Sequence, residues 1–184
     1  AATGAGKILR RYPLVGGIDL AGVVRTSDDT RFKKGDAVLV TGSGLSETVD
    51  GGYTERARVI AESVIPMPAG LDAFRAMSLG TAGFTAALAI HRMERNGQAP
   101  ARGPIVVTGA SGGVGSVAID MLAGRGYEVI AVTGKADSAD YLKSLGAAQV
   151  VPRGEFALGM RPLEPARYAG AIDNVGGDML AGLT

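Results

Sequence analysis

The chain has no cysteine, no tryptophan and a single histidine, His91, among its 184 residues. Without cysteine there is no disulfide scaffold and no thiolate nucleophile. With one histidine and no sulfur ligand, the donor sets that hold a catalytic zinc are missing, so a protein-ligated metal is not expected. The absence of cysteine also suits a cytoplasmic protein. Charge of either sign is nearly balanced, 19 Lys and Arg against 18 Asp and Glu, a formal net charge of +1. No excess cation therefore draws the chain to nucleic acid or to an anionic membrane. No long hydrophobic run reads as a membrane span, because the stretch between Arg102 and Asp120 is broken by Gly109, Gly112, Gly113 and Gly115. The early basic residues Lys7, Arg10 and Arg11 precede no sustained apolar core, so no signal peptide is read. What is present, 46% hydrophobic and 20% charged residues, is ordinary globular composition.

The most informative segment is Ile105-Val-Val-Thr-Gly-Ala-Ser-Gly-Gly-Val-Gly115. A short apolar run stops at glycines, and helical spacing follows at Val114, Val117, Ala118, Met121 and Leu122. This is a buried strand, a tight turn and a helix whose first N–H groups can meet a pyrophosphate. Three other readings fit the letters. Gly109-Ala-Ser-Gly-Gly matches the nucleophile elbow of hydrolases, but the catalytic histidine should follow the serine and His91 precedes it. The short-chain dehydrogenase turn requires a downstream Tyr-x-x-x-Lys; Tyr127, Tyr141 and Tyr168 are followed four residues later by Ala131, Leu145 and Ile172. A P-loop requires Gly-Lys-Ser/Thr, and Gly115-Ser-Val has no lysine. A dinucleotide turn of Ala-x-Gly-x-x-Gly type, Ala110-x-Gly112-x-x-Gly115, remains, beside the plainer reading of a structural strand-to-helix turn.

Before this motif the chain reads as β. Strands are expected at Ile18–Val24, with a bulge or bend at Gly22, at Ala37–Val40 after the polar turn Arg31–Asp36, and at Gly51–Val59, where residues alternate. Val64–Pro68 should be extended, and Asp72 should cap a helix to Leu79. Gly80-Thr-Ala-Gly83 is a pivot, followed by a helix that Asn96-Gly97 stops. Strands at Ile105–Thr108, Glu128–Val132, Gln149–Val151 and Tyr168–Asp173 then alternate with helices at Val114–Gly124 and Asp137–Leu145 and one beginning near Gly177. The expected class is α/β, a doubly wound parallel sheet, incomplete because four strands are visible where such sheets have about six. The chain is therefore read as a piece of a larger protein.

In their order, Tyr12-Pro-Leu-Val-Gly-Gly-Ile-Asp-Leu-Ala-Gly, Arg31-Phe-Lys-Lys-Gly-Asp, Gly51-Gly-Tyr-Thr-Glu-Arg-Ala-Arg-Val, Gly80-Thr-Ala-Gly-Phe-Thr-Ala, Val107-Thr-Gly-Ala-Ser-Gly-Gly-Val-Gly-Ser, Tyr141-Leu-Lys-Ser-Leu-Gly-Ala and Ala171-Ile-Asp-Asn-Val-Gly-Gly resemble the medium-chain dehydrogenase/reductase superfamily. The set is most similar to its zinc-free quinone oxidoreductase-like branch, which includes acryloyl-CoA reductases of the YhdH/YhfP type. The resemblance implies part of a GroES-like, β-rich catalytic domain over residues 1–85 and part of a Rossmann NADP-binding domain over residues 86–184. It also implies a homodimer at full length. The loop Gly42–Asp50 departs from the family in lacking aromatic residues, which bears on the substrate.

Gly112 and Gly115 would let the backbone approach the pyrophosphate and pack helix on strand, while Gly113 and Val114 offer amides. An NAD site wants a carboxylate at the end of the second strand, about 20 residues past the turn; here stand Thr133, Gly134 and Lys135. A ribose 2′-phosphate would accept hydrogen bonds from Thr133 and the Gly134 backbone, with Lys135 neutralising it; the other reading of Lys135 is a solvated lysine. Tyr141 either edges the adenosine or packs its helix on the sheet. Asn174, Val175 and Gly176, at the end of the fourth strand, would line the nicotinamide side. Thr81 and Thr85 either touch the nicotinamide ribose and close a cleft, or cap the helix that follows. His91 is expected at a surface or interface, Asp36 in a turn, Asp19 as a structural partner and Lys33-Lys34 in solvent. No catalytic acid can be named. The function expected is zinc-independent, NADPH-dependent hydride delivery to an activated C=C of acryloyl-CoA type, or to a quinone. A non-catalytic nucleotide-binding or regulatory module, and an inactive truncated form, are the alternatives.

Overall fold

The computed structural model describes residues 8–156 and 166–183. The chain divides into two units, Ala1–Phe84 and Thr85–Thr184. In the first, β1 (Asp19–Val23), β2 (Ala37–Thr41) and β3 (Ile65–Pro66) form an antiparallel sheet in that order. The turn before β2 is held by Asp36, whose Oδ2 accepts the Lys33 N–H at 2.8 Å, and by Asp29, whose carboxylate takes the Arg31 guanidinium at 2.8 Å. Lys33 and Lys34 face solvent, as the sequence suggests. Val38, Leu39 and Val40 of β2 are buried with Phe32 and Leu45.

Two expectations fail here. There is no bulge at Gly22: it pairs with Val38 in an unbroken ladder from Asp19↔Thr41 to Val23↔Ala37. Nor do residues 51–59 form a strand. Gly51, Gly52 and Tyr53 donate to the carbonyls of Val15, Gly17 and Gly16, all at 2.9 Å, and Thr54 Oγ1 donates to Arg56 O at 3.0 Å. The chain turns there, and no strand among the described residues lies beside 55–59, so the alternation has no ladder to join.

Helix α1 (Ala73–Arg95) starts at Asp72, whose Oδ1 accepts the Arg75 N–H at 2.7 Å. It is broken at Gly80 (φ 47°, ψ −151°), the pivot expected from Gly80-Thr-Ala-Gly83. By length and apolarity α1 passes for a membrane-crossing helix, which the sequence reading did not anticipate. The break interrupts it, and Ala76, Ala86 and Ile90 are buried in protein.

The second unit is a parallel sheet in the order β6 (Gln149–Pro152), β5 (Val129–Thr133), β4 (Ile105–Thr108), β7 (Gly170–Ile172). Every residue of β4 and β5 is buried, as continuous apolar strands covered on both faces should be. On one face Ile105, Val107, Val129 and Ala131 pack with Ala86 and Ile90 of α1, with Ala118, Ile119 and Leu122 of α2 (Gly113–Gly124) and with Leu142 of α3 (Ala139–Ser144). On the other, Val106, Ile130 and Val132 pack with Phe156 and with Met179 of α4 (Gly177–Leu183). The alternation within each strand thus sorts its residues between two cores.

Candidate functional site

From β4 the chain steps outward through β5 and β6, then returns to place β7 on the other side of β4. The carboxyl ends of β4 and β7 are neighbours across this reversal, where open α/β sheets form a crevice. The turn after β4 fills it. Gly109 has φ +56°, and the Ala110 N–H is anchored to Val132 O at 3.1 Å. A Cβ on Gly115 would lie 2.5 Å from Gly109 O and 2.8 Å from Ala110 Cα, so only glycine lets α2 seat against the turn. One on Gly112 would lie 3.1 Å from Gly109 O. Gly112 caps α2 without a side-chain bond, and its carbonyl takes the Ser116 N–H at 2.9 Å. The amides of Gly113, Val114 and Gly115 have no acceptor among the described residues. Three main-chain donors at a helix start, with no side-chain cap bonded to them, suit an anion.

The neighbouring strand end is organised by two residues the sequence reading did not single out, Asp173 and Thr108. Thr108 Oγ1 donates to Asp173 Oδ1 and accepts the Asn174 N–H at 2.9 Å, while Asn174 Nδ2 donates to Thr108 O at 2.9 Å. Asp173 also accepts the N–H groups of Val175 (3.3 Å) and Gly176 (2.8 Å). Burial alone would push the Asp173 carboxyl up; the bonds from Thr108, Gly176 and Val175 outweigh it and hold the group below the ordinary carboxylate value. Asn174–Gly176 is therefore a fixed loop. A Cβ on Gly109 would lie 3.2 Å from Asn174 Cβ, so the glycine turn and this loop are in close contact. An acid three residues ahead of a glycine with positive φ is an Asx-turn signal, and it was readable.

At the end of β5, Thr133 is buried. Its Oγ1 lies 2.9 Å from Ser111 Oγ and 3.4 Å from Ser138 Oγ, and it accepts the Lys135 N–H at 3.1 Å. These partners hold the hydroxyl inside, tying the glycine turn to the loop after β5; a phosphate contact from Thr133, as expected from sequence, is not what this geometry offers. Gly134 and Lys135 are exposed. Beside them stands Arg153, also not anticipated. Its N–H donates to Thr133 O at 2.7 Å, and a Cβ on Gly134 would lie 3.3 Å from its Nη2.

The remaining candidates lie elsewhere. Tyr141 is 51% exposed on α3; Leu142, fully buried, packs that helix, which corrects the packing reading of Tyr141. The helix begins at Ala139, two residues later than expected, and its phase turns Leu142 inward. Thr81 belongs to the first unit, where its N–H and Oγ1 both donate to Asp19 Oδ1 at 2.8 Å. Asp19 is thus the structural partner expected, and its carboxylate, rather than the threonine hydroxyl, caps the restart of α1. A Cβ on Gly80 would lie 2.5 Å from Asp19 Oδ2. Thr85 and His91 are exposed on the second half of α1. Among the described residues no group of three or more His, Cys, Asp or Glu side chains could hold a metal ion.

No family model matches the chain. It is 55% identical over 181 residues to the probable acrylyl-CoA reductase AcuI of Escherichia coli, covering 98% of this chain and 56% of that protein. It is 48% identical over 184 residues to the putative quinone oxidoreductase YhfP of Bacillus subtilis, covering 100% and 56%. Among solved structures, E. coli YhdH with bound NADPH superposes with a TM-score of 0.94 at 53% identity, over 98% of this chain and 55% of that one. B. subtilis yhfP with NAD bound gives 0.92 at 49% identity, over 97% and 54%. The chain spans about half the length of the relatives it matches. Sequence identity of this order along nearly every residue, on a shared backbone, places the chain in the medium-chain dehydrogenase/reductase superfamily, within its quinone oxidoreductase-like branch.

Proposed function

We infer that the chain carries the dinucleotide site of an NADPH-dependent reductase that delivers hydride to an activated C=C, of acryloyl-CoA type, or to a quinone. The observation that carries this reading is the set of amides at Gly113, Val114 and Gly115 without an acceptor among the described residues, on a turn where Gly112 and Gly115 leave no Cβ in the way. In this reading residues 86–184 are part of the nucleotide-binding domain and residues 1–85 part of the catalytic domain. The names of the relatives, reductases of acrylyl-CoA and of quinones, favour catalysis over a silent nucleotide-binding module.

The residues fit the group. Main-chain amides at 113–115 would hold the pyrophosphate, helped by the positive end of α2. Asn174, Val175 and Gly176, fixed by Asp173 and Thr108, would line the nicotinamide end. Tyr141, exposed on α3, would edge the adenosine. Lys135 would face the 2′-phosphate, and Thr133 would position the loop that bears it. Thr85 would serve the nicotinamide ribose. NADPH, when bound, supplies the hydride. The solved relatives hold NADPH in one case and NAD in another, so the fold does not choose between them; the cation and missing acid after β5 support NADPH. The intact protein is read as a cytoplasmic homodimer.

The test is oxidation of NADPH by the intact protein with acryloyl-CoA beside a quinone. Turnover with one of them is expected. Nucleotide binding with no turnover across enoyl thioesters and quinones would overturn the reductase reading, and equal affinity for NADH and NADPH would overturn the cofactor choice.

A further inference from the structure

The amino ends of β4 and β7 carry polar groups that the nucleotide reading does not use. Pro104 and Ala169 stand one residue before these strands, and the Ala169 N–H donates to Pro104 O at 2.9 Å. A cavity of about 410 Å³ opens beside them, lined by Gln98, Arg102, Pro104, Arg167, Tyr168 and Ala169. That volume lies within the range of small-ligand pockets. The whole of β4 separates it from the glycine turn, so it lies at the opposite end of the sheet from the amides of 113–115.

The polar groups are set on fixed backbone. The Gln98 N–H donates to Met93 O at 3.0 Å, and Gln98 O accepts the Tyr127 hydroxyl at 3.3 Å. The side-chain amide reaches the start of β7, where a Cβ on Gly170 would lie 3.9 Å from Gln98 Oε1. Among the described residues, Gln98 Nε2 is the one buried side-chain nitrogen or oxygen without a hydrogen-bond partner. A buried donor left unpaired is costly, and native structures keep few of them. The Arg102 N–H closes a tight turn on Ala99 O at 2.9 Å, and its Nη2 lies 3.5 Å from the Cβ position of Gly97. Arg102 is exposed and has no acid within 4.0 Å among the described residues, whereas Arg125 is matched by Glu94. Arg167 brings a second guanidinium to the lining. Pro104, Ala169 and the Tyr168 ring, stacked on Phe156, supply the apolar part.

An unpaired amide donor beside two guanidinium groups calls for an acceptor with negative charge. A carboxylate meets an arginine fork with both oxygens and keeps lone pairs for the amide, and the apolar lining suits a hydrocarbon body. We propose that this cavity binds a small organic acid, its carboxylate held by Gln98 and Arg102, at a site distinct from the dinucleotide crevice. The proposal goes beyond the reductase reading and does not depend on it.

The experiment is a ligand-observed NMR titration of the intact protein with benzoate, benzamide and inorganic phosphate, with and without NADPH. Benzoate should bind with the same affinity in both conditions, and benzamide, which lacks the charge, should not bind. Arg102→Gln should weaken benzoate by about tenfold to hundredfold, the worth of a charge-assisted pair. Gln98→Met keeps the volume and removes the donor; it should weaken benzoate too, yet melt no lower than wild type without ligand, because no bond is lost. Benzoate binding that neither variant changes, or that NADPH displaces, puts the acid elsewhere and overturns the proposal. So does the absence of saturable binding, or phosphate bound more tightly than benzoate. A Gln98→Met protein that melts well below wild type overturns it as well, since the amide would then have a structural partner.

Discussion

All nine residues of β4 and β5 are buried, whereas none of the five in β1 is. The same contrast holds around the two sheets. In the second unit, helices that follow each strand in sequence supply the cover: Ile119 and Leu122 of α2 come straight after β4, and Leu142 of α3 after β5. In the first, Val23 (64% exposed), Ile60 (67%), Tyr53 (83%) and Phe74 (83%) stay in contact with solvent. There a groove of about 1000 Å³ opens between β1 and residues 54–64, lined by Leu20, Val23, Phe32, Val38, Val59 and Ile60. A β-α-β connection brings its own lid to every strand, while an antiparallel sheet takes its cover from segments that are not its sequence neighbours.

The contrast is open to test. Ile119→Ala empties a fully buried site and should cost about 2–5 kcal/mol, while Ile60→Ala, at 67% exposure, should stay within about 0.5 kcal/mol. Native-state hydrogen exchange on β4 and β2 amides would read both changes, and equal effects would erase the distinction between the units. Gly115→Ala drives a Cβ into the backbone of Gly109 and Ala110; a loss of about 1–3 kcal/mol should accompany loss of nucleotide binding in a fluorescence titration. Asp173→Asn should cost about 1.5 kcal/mol. The Asp173 carboxyl sits below its ordinary value when folded, so its contribution is present above about pH 4 and fades as pH falls through the folded pKa. Melts of wild type and variant should therefore differ at pH 7 and converge in acid. Asp72→Ala removes the cap of α1 in the thinner unit and should cost about 1 kcal/mol, measurable in urea.

The stretch from Ile105 to Gly124 was legible because local signals agree there: a continuous apolar run, glycines at the turn and helical spacing after it. The pivot at Gly80 and the cap at Asp72 were legible for the same reason. Residues 51–59 misled because alternation reports a wet and a dry face but not whether a partner strand lies alongside. The hydrogen-bond partners of Thr133, Ser111 and Ser138, are 22 and 5 positions away, so its inward-facing hydroxyl could not be read from its neighbours. Arg153 was invisible because strand register, not spacing, brings it to Gly134. Main-chain features of the site thus follow from local sequence, and side-chain features from long-range pairing.

The turn after β4 offers amides, and every residue but proline has one. Alanine scanning across Ser111, Val114 and Ser116 will for that reason pass over the anion-gripping function almost silently. Only a methyl group forced onto a position like Gly115, or a proline that deletes an N–H, will register. Surveys that rank residues by what their side chains touch will underrate this segment, although its Gly115 has no room for a single methyl group.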